Sequence, residues 1–133
     1  MKVLKFVAIL ILVYMGVVFT FEAMLGIFQP ESESTIVITT VDADGKMESR
    51  VVSPVYDDGT LYVSANHWPR SWYGRALEKP EVEVTEKGTT RAYTAIPVTG
   101  AEDARLQEEY AHPFFFRLLT GFPPRHFLRL EPR

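Results

Sequence analysis

The pattern of hydrophobic and polar positions divides the chain into a long apolar run and a mixed remainder. No charged residue occurs from Phe6 to Phe21, and Glu22 alone interrupts the apolar run before Phe28. A helix of about 23 residues over this run is about 34 Å long, which is enough to cross a bilayer. The pattern predicts a transmembrane anchor in residues 1–29, followed by one folded domain in residues 30–133.

A cleaved signal peptide is the alternative, because Lys2 and Lys5 precede the apolar run as they do in a secretion signal. The following "TFEAMLGIFQPES" offers no clean small-x-small cleavage site, which favours a retained anchor. Because the positive end of a span normally stays in the cytoplasm, the two lysines predict a cytoplasmic N-terminus. The folded domain is then extracytoplasmic.

Beyond the linker "QPESES", short segments alternate as strands do. Turns at "DADG" and "DDGT" predict a three-stranded meander, and a helix begins near Pro69 and ends before Pro80. Thr99 and Glu102 have the spacing of a capping box at the start of a second helix, and a further helical stretch stops at Gly121. The predicted strands are residues 34–40, 49–56, 61–65, 81–85, 91–98 and 126–132. Mostly hairpin connections predict a mainly β domain with two to three helices, built as a small antiparallel barrel.

Amino-acid composition argues against several classes of function. The net charge of −3 and the lack of a long basic run give no reason to expect a nucleic-acid partner. The chain has no cysteine, which excludes disulfides, thiolate chemistry and the common zinc motifs. His67, His112 and His126 are too scattered to form a ligand set, so no metal site is predicted.

The stretch "ANHWPRSWYGR" concentrates polar and aromatic side chains where a predicted strand meets a helix. Ser64, Ala65 and Asn66 precede the helix N-terminus, where backbone N–H groups bind an anion or a ring carbonyl; an ordinary Asn-containing turn is the alternative. Arg70 opposes the helix dipole in the first turn and gains nothing there, which favours contact with an anionic ligand. His67 can donate to a ligand carbonyl, although a lone histidine in a polar turn is more often simply exposed.

The helix that follows has its own candidates. Trp68, just before the helix, either covers a ligand ring or acts as a capping aromatic. Trp72 is expected to pack against the barrel, and Tyr73 lies on the neighbouring part of the helix surface. Arg75 has two alternatives, contact with a ligand or a solvated ion pair with Glu78.

The run "WYGRALEKPEVEV", with the order of elements, resembles the deazaflavin-dependent nitroreductase and quinone reductase family, whose members have the FMN-binding split β-barrel fold. The matching positions are Ser64, Ala65, Asn66, Pro69, Trp72, Tyr73, Pro80, Val82 and Val84. The resemblance extends from Thr35 to Arg133. It implies an oxidoreductase that holds coenzyme F₄₂₀, a deazaflavin, or FMN in a groove between barrel and helix. It also implies a quinone or nitro compound as electron acceptor, and a homodimer in which a second subunit completes the groove.

One loop departs from the family's pattern. Members that bind F₄₂₀ usually continue the first strand with a basic loop that meets the cofactor phosphate, whereas "VDADG" follows it here. Asp42 and Asp44 would repel a phosphate at that place. Arg50, Arg70 and Arg75 are the candidates to bind it instead, since the guanidinium fork suits phosphate.

These inferences define a predicted cofactor site and leave an alternative function open. The predicted cofactor-binding residues are Ser64, Ala65, Asn66, His67, Trp68, Arg70, Trp72, Tyr73, Arg50 and Arg75. No catalytic residue is assigned, because in flavin-type chemistry the cofactor supplies the reactivity. A non-catalytic split-barrel module that binds a small ligand or a protein partner at the membrane surface is the alternative. The missing basic loop and the extracytoplasmic domain favour that alternative.

The C-terminal "HPFFFRLLTGFPPRHF" carries five phenylalanines. Such an apolar stretch is expected to form core or subunit interface, and a hydrophobic wall for a quinone-like substrate is the alternative. Tyr110 is a further candidate, because a phenol near a cofactor can donate a proton to a reduced substrate.

Overall fold

The computed structural model describes residues 1–27, 34–65, 71–122 and 124–133. The chain forms two compact units. The helical unit comprises Met1–Gln29 and His112–Pro123, and the barrel unit comprises Pro30–Ala111 and Pro124–Arg133.

The described residues form four helices and seven strands. These elements make up a mainly β domain preceded by one long helix. In chain order they are α1 (Lys2–Ile27), β1 (Ile36–Val41), β2 (Met47–Val52), β3 (Pro54–Asp57), β4 (Thr60–Ala65), α2 (Ser71–Glu78), β5 (Glu81–Glu86), β6 (Thr89–Pro97), α3 (Gly100–Glu109), α4 (Phe114–Thr120) and β7 (His126–Pro132).

The helical unit consists of α1 and α4. Residues Lys2–Met24 of α1 have a mean hydropathy of 2.5 and are long and apolar enough to cross a membrane. The Tyr14 hydroxyl donates to the Leu118 carbonyl over 2.9 Å, and the rings of Phe21 and Phe116 meet edge-on at 6.1 Å. The helix α4 ends at Gly121, whose φ of 78° is the left-handed cap that its glycine predicts.

The barrel unit is a single antiparallel sheet in the order β2-β1-β5-β6-β7-β4-β3. A hydrogen bond across the sheet shows that it curls: the hydroxyl of Tyr56 on the edge strand β3 donates over 2.7 Å to Glu86 on β5, the third strand from the opposite edge. This curled half-barrel confirms the predicted fold class.

The predicted three-stranded meander is wrong at residues 49–56. This run divides at Ser53 into β2 and β3, which pair with β1 and β4 and lie at opposite edges of the sheet. Pro54 has no N–H to donate to a ladder, which favours a break before it. Both flanking hairpins form as predicted, but the chain crosses between the edges of the curled sheet instead of continuing a meander.

Two hydrophobic clusters hold the barrel unit together. The inner cluster lies between the sheet and α2, whose Trp72 and Ala76 are 4% and 1% exposed. The predicted burial of Trp72 is therefore confirmed. An outer cluster packs Leu106 of α3 against Tyr62 and Phe127 on the other face of the sheet.

The helix α3 begins as predicted, but not with the predicted capping box. Thr99 is the N-cap residue with an extended backbone, and its side chain makes no capping hydrogen bond. Glu102 accepts instead from the Tyr62 hydroxyl over 2.7 Å and from Arg129 over 2.6 Å. The Glu102 carboxylate, which the spacing predicted to cap the helix, therefore binds side chains on β4 and β7 instead.

Candidate cofactor site

The structure describes six of the ten predicted site residues. Asn66, His67, Trp68 and Arg70 lie outside the described residues. The remaining six lie on three elements: Ser64 and Ala65 on β4, Trp72, Tyr73 and Arg75 on α2, and Arg50 on β2.

The end of β4 is buried and paired with β7. Ser64 and Ala65 are 6% and 3% exposed, and their partners are Phe127 and His126. Ala65 belongs to the inner cluster beneath α2. Because side chains alternate along a strand, the Ser64 side chain lies on the opposite face, so that only its backbone can line a site beside α2.

Aromatic rings meet beside this strand end. The rings of Tyr73 and His126 stack at 5.4 Å with an interplanar angle of 25°, and Trp72 meets Tyr73 edge-on at 6.1 Å. Burial raises the pKa of the half-buried Tyr73, and the nearby Asp103 carboxylate raises it further. We call Ala65, Tyr73 and His126 the aromatic group.

His126 was not among the predicted site residues. It was considered only as a metal ligand, although it begins the last predicted strand. The signal that could have found it is the pairing of that strand with β4, which places His126 opposite Ala65. This pairing is non-local and cannot be obtained from spacing along the chain.

Arg75 is joined to the first strand. Its Nε donates over 2.8 Å to the hydroxyl of Thr40, which is fully buried, and Lys79 Nζ donates over 2.8 Å to the Asp42 carbonyl. Arg75 is therefore half-buried and bound to β1, rather than the solvated partner of Glu78 that the sequence allowed. A guanidinium carries five N–H donors, and the bond to Thr40 uses one of them.

Arg50 lies on the same face of the sheet as Thr40. It pairs with Ile38 across β1 and β2, which makes it a diagonal neighbour of Thr40 on the side that α2 covers. We call Arg50, Arg75 and Thr40 the arginine group. Since Tyr73 and Arg75 are two residues apart on a helix, the two groups flank α2 on different sides.

In the turn between β1 and β2, the Asp42 carboxylate accepts hydrogen bonds from backbone N–H groups of the same turn. Asp42 Oδ1 accepts from the N–H groups of Asp44 and Lys46, each over 2.9 Å. The hydrogen bond from the Lys46 N–H is the main cause that lowers the pKa of Asp42 below its usual range, and the carboxylate stays charged. The N–H groups that a phosphate-binding loop would offer are used inside this turn.

The chain is similar in structure to several solved proteins. No family model matches the sequence, and no curated protein matches it. An F₄₂₀-H₂-dependent reductase, FDR-A, superposes with a TM-score of 0.61 at 20% identity, covering 74% of this chain and 94% of that one. A domain-swapped dimer gives a TM-score of 0.63 at 19% identity, covering 76% and 82% of the two chains.

A third structure has the same architecture. A pyridoxamine 5′-phosphate oxidase-like protein from Listeria innocua gives a TM-score of 0.57 at 17% identity and covers 87% of this chain and 93% of its own. At sequence identities this low, structural similarity shows a shared fold. The chain therefore has a split β-barrel fold.

Proposed function

We propose that the chain is a membrane-anchored oxidoreductase that binds a flavin-type cofactor, either coenzyme F₄₂₀ or FMN, and reduces a quinone or nitro compound. The observation that supports this most is the stack of Tyr73 on His126 beside the end of β4. It lies on a fold shared with an F₄₂₀-H₂-dependent reductase.

The described residues fit the two ends of such a cofactor. In the aromatic group Tyr73 is half-buried and His126 is exposed, and Ala65 adds only a methyl group beside them, which suits a planar ring. The arginine group suits a phosphate, whereas the closed Asp42 turn does not. Because the two groups flank α2, a ligand that contacts both must extend past the helix, as a ring with a flexible phosphorylated side chain can.

Each group has a separate task in this proposal. Bound cofactor would supply hydride or electron transfer, and the protein supplies position and polarity. Tyr73 and His126 would orient the ring, and the Ser64–Ala65 backbone would border it. The bond from Arg75 to Thr40 fixes the guanidinium plane before a phosphate arrives, which reduces the entropy lost on binding. Asn66, His67, Trp68 and Arg70 remain predicted contacts of the same ligand.

The assembly and location are also proposals. The apolar and exposed α1 supports anchoring in a membrane. The domain-swapped dimer of the same fold supports a homodimer. A quinone-like acceptor would reach an anchored enzyme from the bilayer.

Cofactor binding tests the proposal directly. The full-length chain in lipid nanodiscs is titrated separately with FMN, F₄₂₀ and haem, and binding is followed by absorbance and fluorescence. We expect FMN or F₄₂₀ to bind, and the bound cofactor, when supplied in its reduced form, to pass two electrons to a quinone and be reoxidised. Binding of none of the three contradicts the oxidoreductase and favours the non-catalytic module.

Substitutions then locate the cofactor. We expect Arg75→Ala to weaken cofactor affinity about tenfold, or about 1.4 kcal/mol, if the guanidinium binds phosphate. The control Arg91→Ala removes an exposed cation on β6 and should leave affinity unchanged. Tyr73→Ala should cost about 1 kcal/mol of stacking, roughly fivefold in affinity, whereas Tyr73→Phe should bind normally. If Arg75→Ala and the wild type bind the cofactor with equal affinity, the arginine group is not part of the cofactor site.

A further inference from the structure

The last helix of the chain exposes a cluster of aromatic rings. Phe114, Phe115 and Phe122 are 68%, 69% and 44% exposed, and the rings of Phe114 and Phe122 lie 5.7 Å apart. A phenylalanine side chain gains about 1.5–3 kcal/mol when it leaves water, so that three neighbouring exposed rings indicate a surface that is covered in the working protein.

The contacts of α4 with α1 indicate what covers this surface. Tyr14 and Phe21, which hold α4 through Leu118 and Phe116, both lie within the apolar span Lys2–Met24. They are two helical turns apart, about 10 Å along the axis, in the half of α1 that leads to the barrel unit. If α1 crosses a bilayer, α4 lies beside it at the depth of one leaflet. A soluble protein partner cannot reach that depth, but lipid is already there.

The charges and hydrogen bonds of the segment suit the same environment. No acidic residue occurs between Glu109 and Glu131, and Arg117 lies 5.6 Å from the centre of the Phe122 ring. A long arginine side chain can extend from an apolar position to anionic lipid headgroups. The amides that follow the helix are also satisfied, since the N–H groups of Gly121 and Phe122 bond to Leu118 and Arg117.

We propose that α4 is a second membrane-embedded element, seated in one leaflet beside α1, with Phe114, Phe115 and Phe122 in contact with lipid acyl chains. This inference rests on the proposed anchoring of α1. For these three rings it replaces the expectation of protein core or a subunit interface, whereas Phe127 of the same stretch lies in the outer cluster as expected.

Single-cysteine labelling tests this placement, because the chain has no cysteine of its own. Phe115→Cys is labelled with the fluorophore NBD in the full chain, reconstituted in vesicles of phosphatidylcholine and phosphatidylglycerol. Lipids carrying a nitroxide on the acyl chain then quench any label in the bilayer. Leu10→Cys on α1 and Glu108→Cys on α3 are the matched controls, and all three positions are exposed in the protein.

We expect the labels at positions 115 and 10 to be quenched to a similar extent and the label at 108 to be unaffected. Quenching at 10 but not at 115 would overturn the proposal for α4 and leave the anchor intact. Quenching at neither position would refute the anchor itself, and the proposal with it. Phe114→Cys provides a second site on the same exposed cluster, so that poor reconstitution of one variant does not decide the result.

Discussion

At the scale of single residues, the Tyr56 hydroxyl forms a pH-dependent hydrogen bond that joins β3 to β5 across the curled sheet. Burial of the phenol, with the hydrogen bond to Glu86 adding to it, raises the pKa of Tyr56 from 10.0 to about 12. A raised pKa contributes stability that is complete below pH 10 and is lost as the pH rises through 12. We expect the free energy of unfolding of the wild type to exceed that of Tyr56→Phe by at most about 1 kcal/mol at pH 8, because the side chain is half exposed. This difference should shrink between pH 10 and pH 12.

Urea unfolding at several pH values measures that difference. The control Glu86→Gln keeps an acceptor for the Tyr56 hydroxyl but removes the charge, and should move the absorbance step of tyrosinate formation to lower pH. A difference between wild type and Tyr56→Phe that stays constant up to pH 12 would contradict the assignment.

Individual residues also show what a sequence can predict about this site. Trp72 was predicted correctly because helical spacing alone places it on the same face as Ala76. Glu102 was not, because its partners Tyr62 and Arg129 come from strands 40 and 27 residues away. His126 was missed for the same reason. Local spacing identifies which side chains share a face, and the pairing of distant strands decides what they contact.

At the scale of elements, α3 depends on one fully buried side chain. Leu106 is 0% exposed and packs with Tyr62, Val98 and Phe127 on the outer face of the sheet. We expect Leu106→Ala to lower the free energy of unfolding by about 3 kcal/mol through the cavity it leaves. Glu108→Ala, at an exposed position of the same helix, should change it by less than about 0.5 kcal/mol. Chemical denaturation of the full chain measures both, and similar values for the two variants would show that α3 is not docked as described.

The strands show the same division between local and non-local information. The turns "DADG" and "DDGT" fix two hairpins, and both form between the predicted partners. Pro54 favours a break in the run 49–56, but local sequence does not tell where in the sheet each half lies. Only the closure of the curled sheet sends β2 and β3 to opposite edges, and closure depends on every pairing at once.

At the scale of the whole molecule, the sequence predicted the fold class but left the proposed cofactor open between F₄₂₀ and FMN. The elements and their order are enough to define a split barrel, since architecture depends on pattern. Cofactor choice depends on a few phosphate and ring contacts, and here the usual basic loop is replaced by a turn closed on Asp42. Four of the ten predicted cofactor contacts, Asn66, His67, Trp68 and Arg70, belong to residues 66–70, outside the part of the chain that the structure describes.

The orientation of the predicted anchor determines whether the barrel unit lies in the cytoplasm or outside it, and therefore which cofactors are available to it. Lys2 and Lys5 lie at the start of α1, before its uncharged run, and the first basic residue after α1 is Lys46, so the charge bias predicts a cytoplasmic N-terminus. We expect alkaline phosphatase fused after Arg133 to be active and green fluorescent protein at the same site to be dark, because the first folds only outside the cytoplasm and the second only within it. Replacing both lysines by glutamate and adding lysines at Gln29 and Ser32 should reverse the two signals. A fluorescent fusion of the unmodified chain would place the barrel in the cytoplasm, where flavin-type cofactors are made, and would remove the main objection to the oxidoreductase.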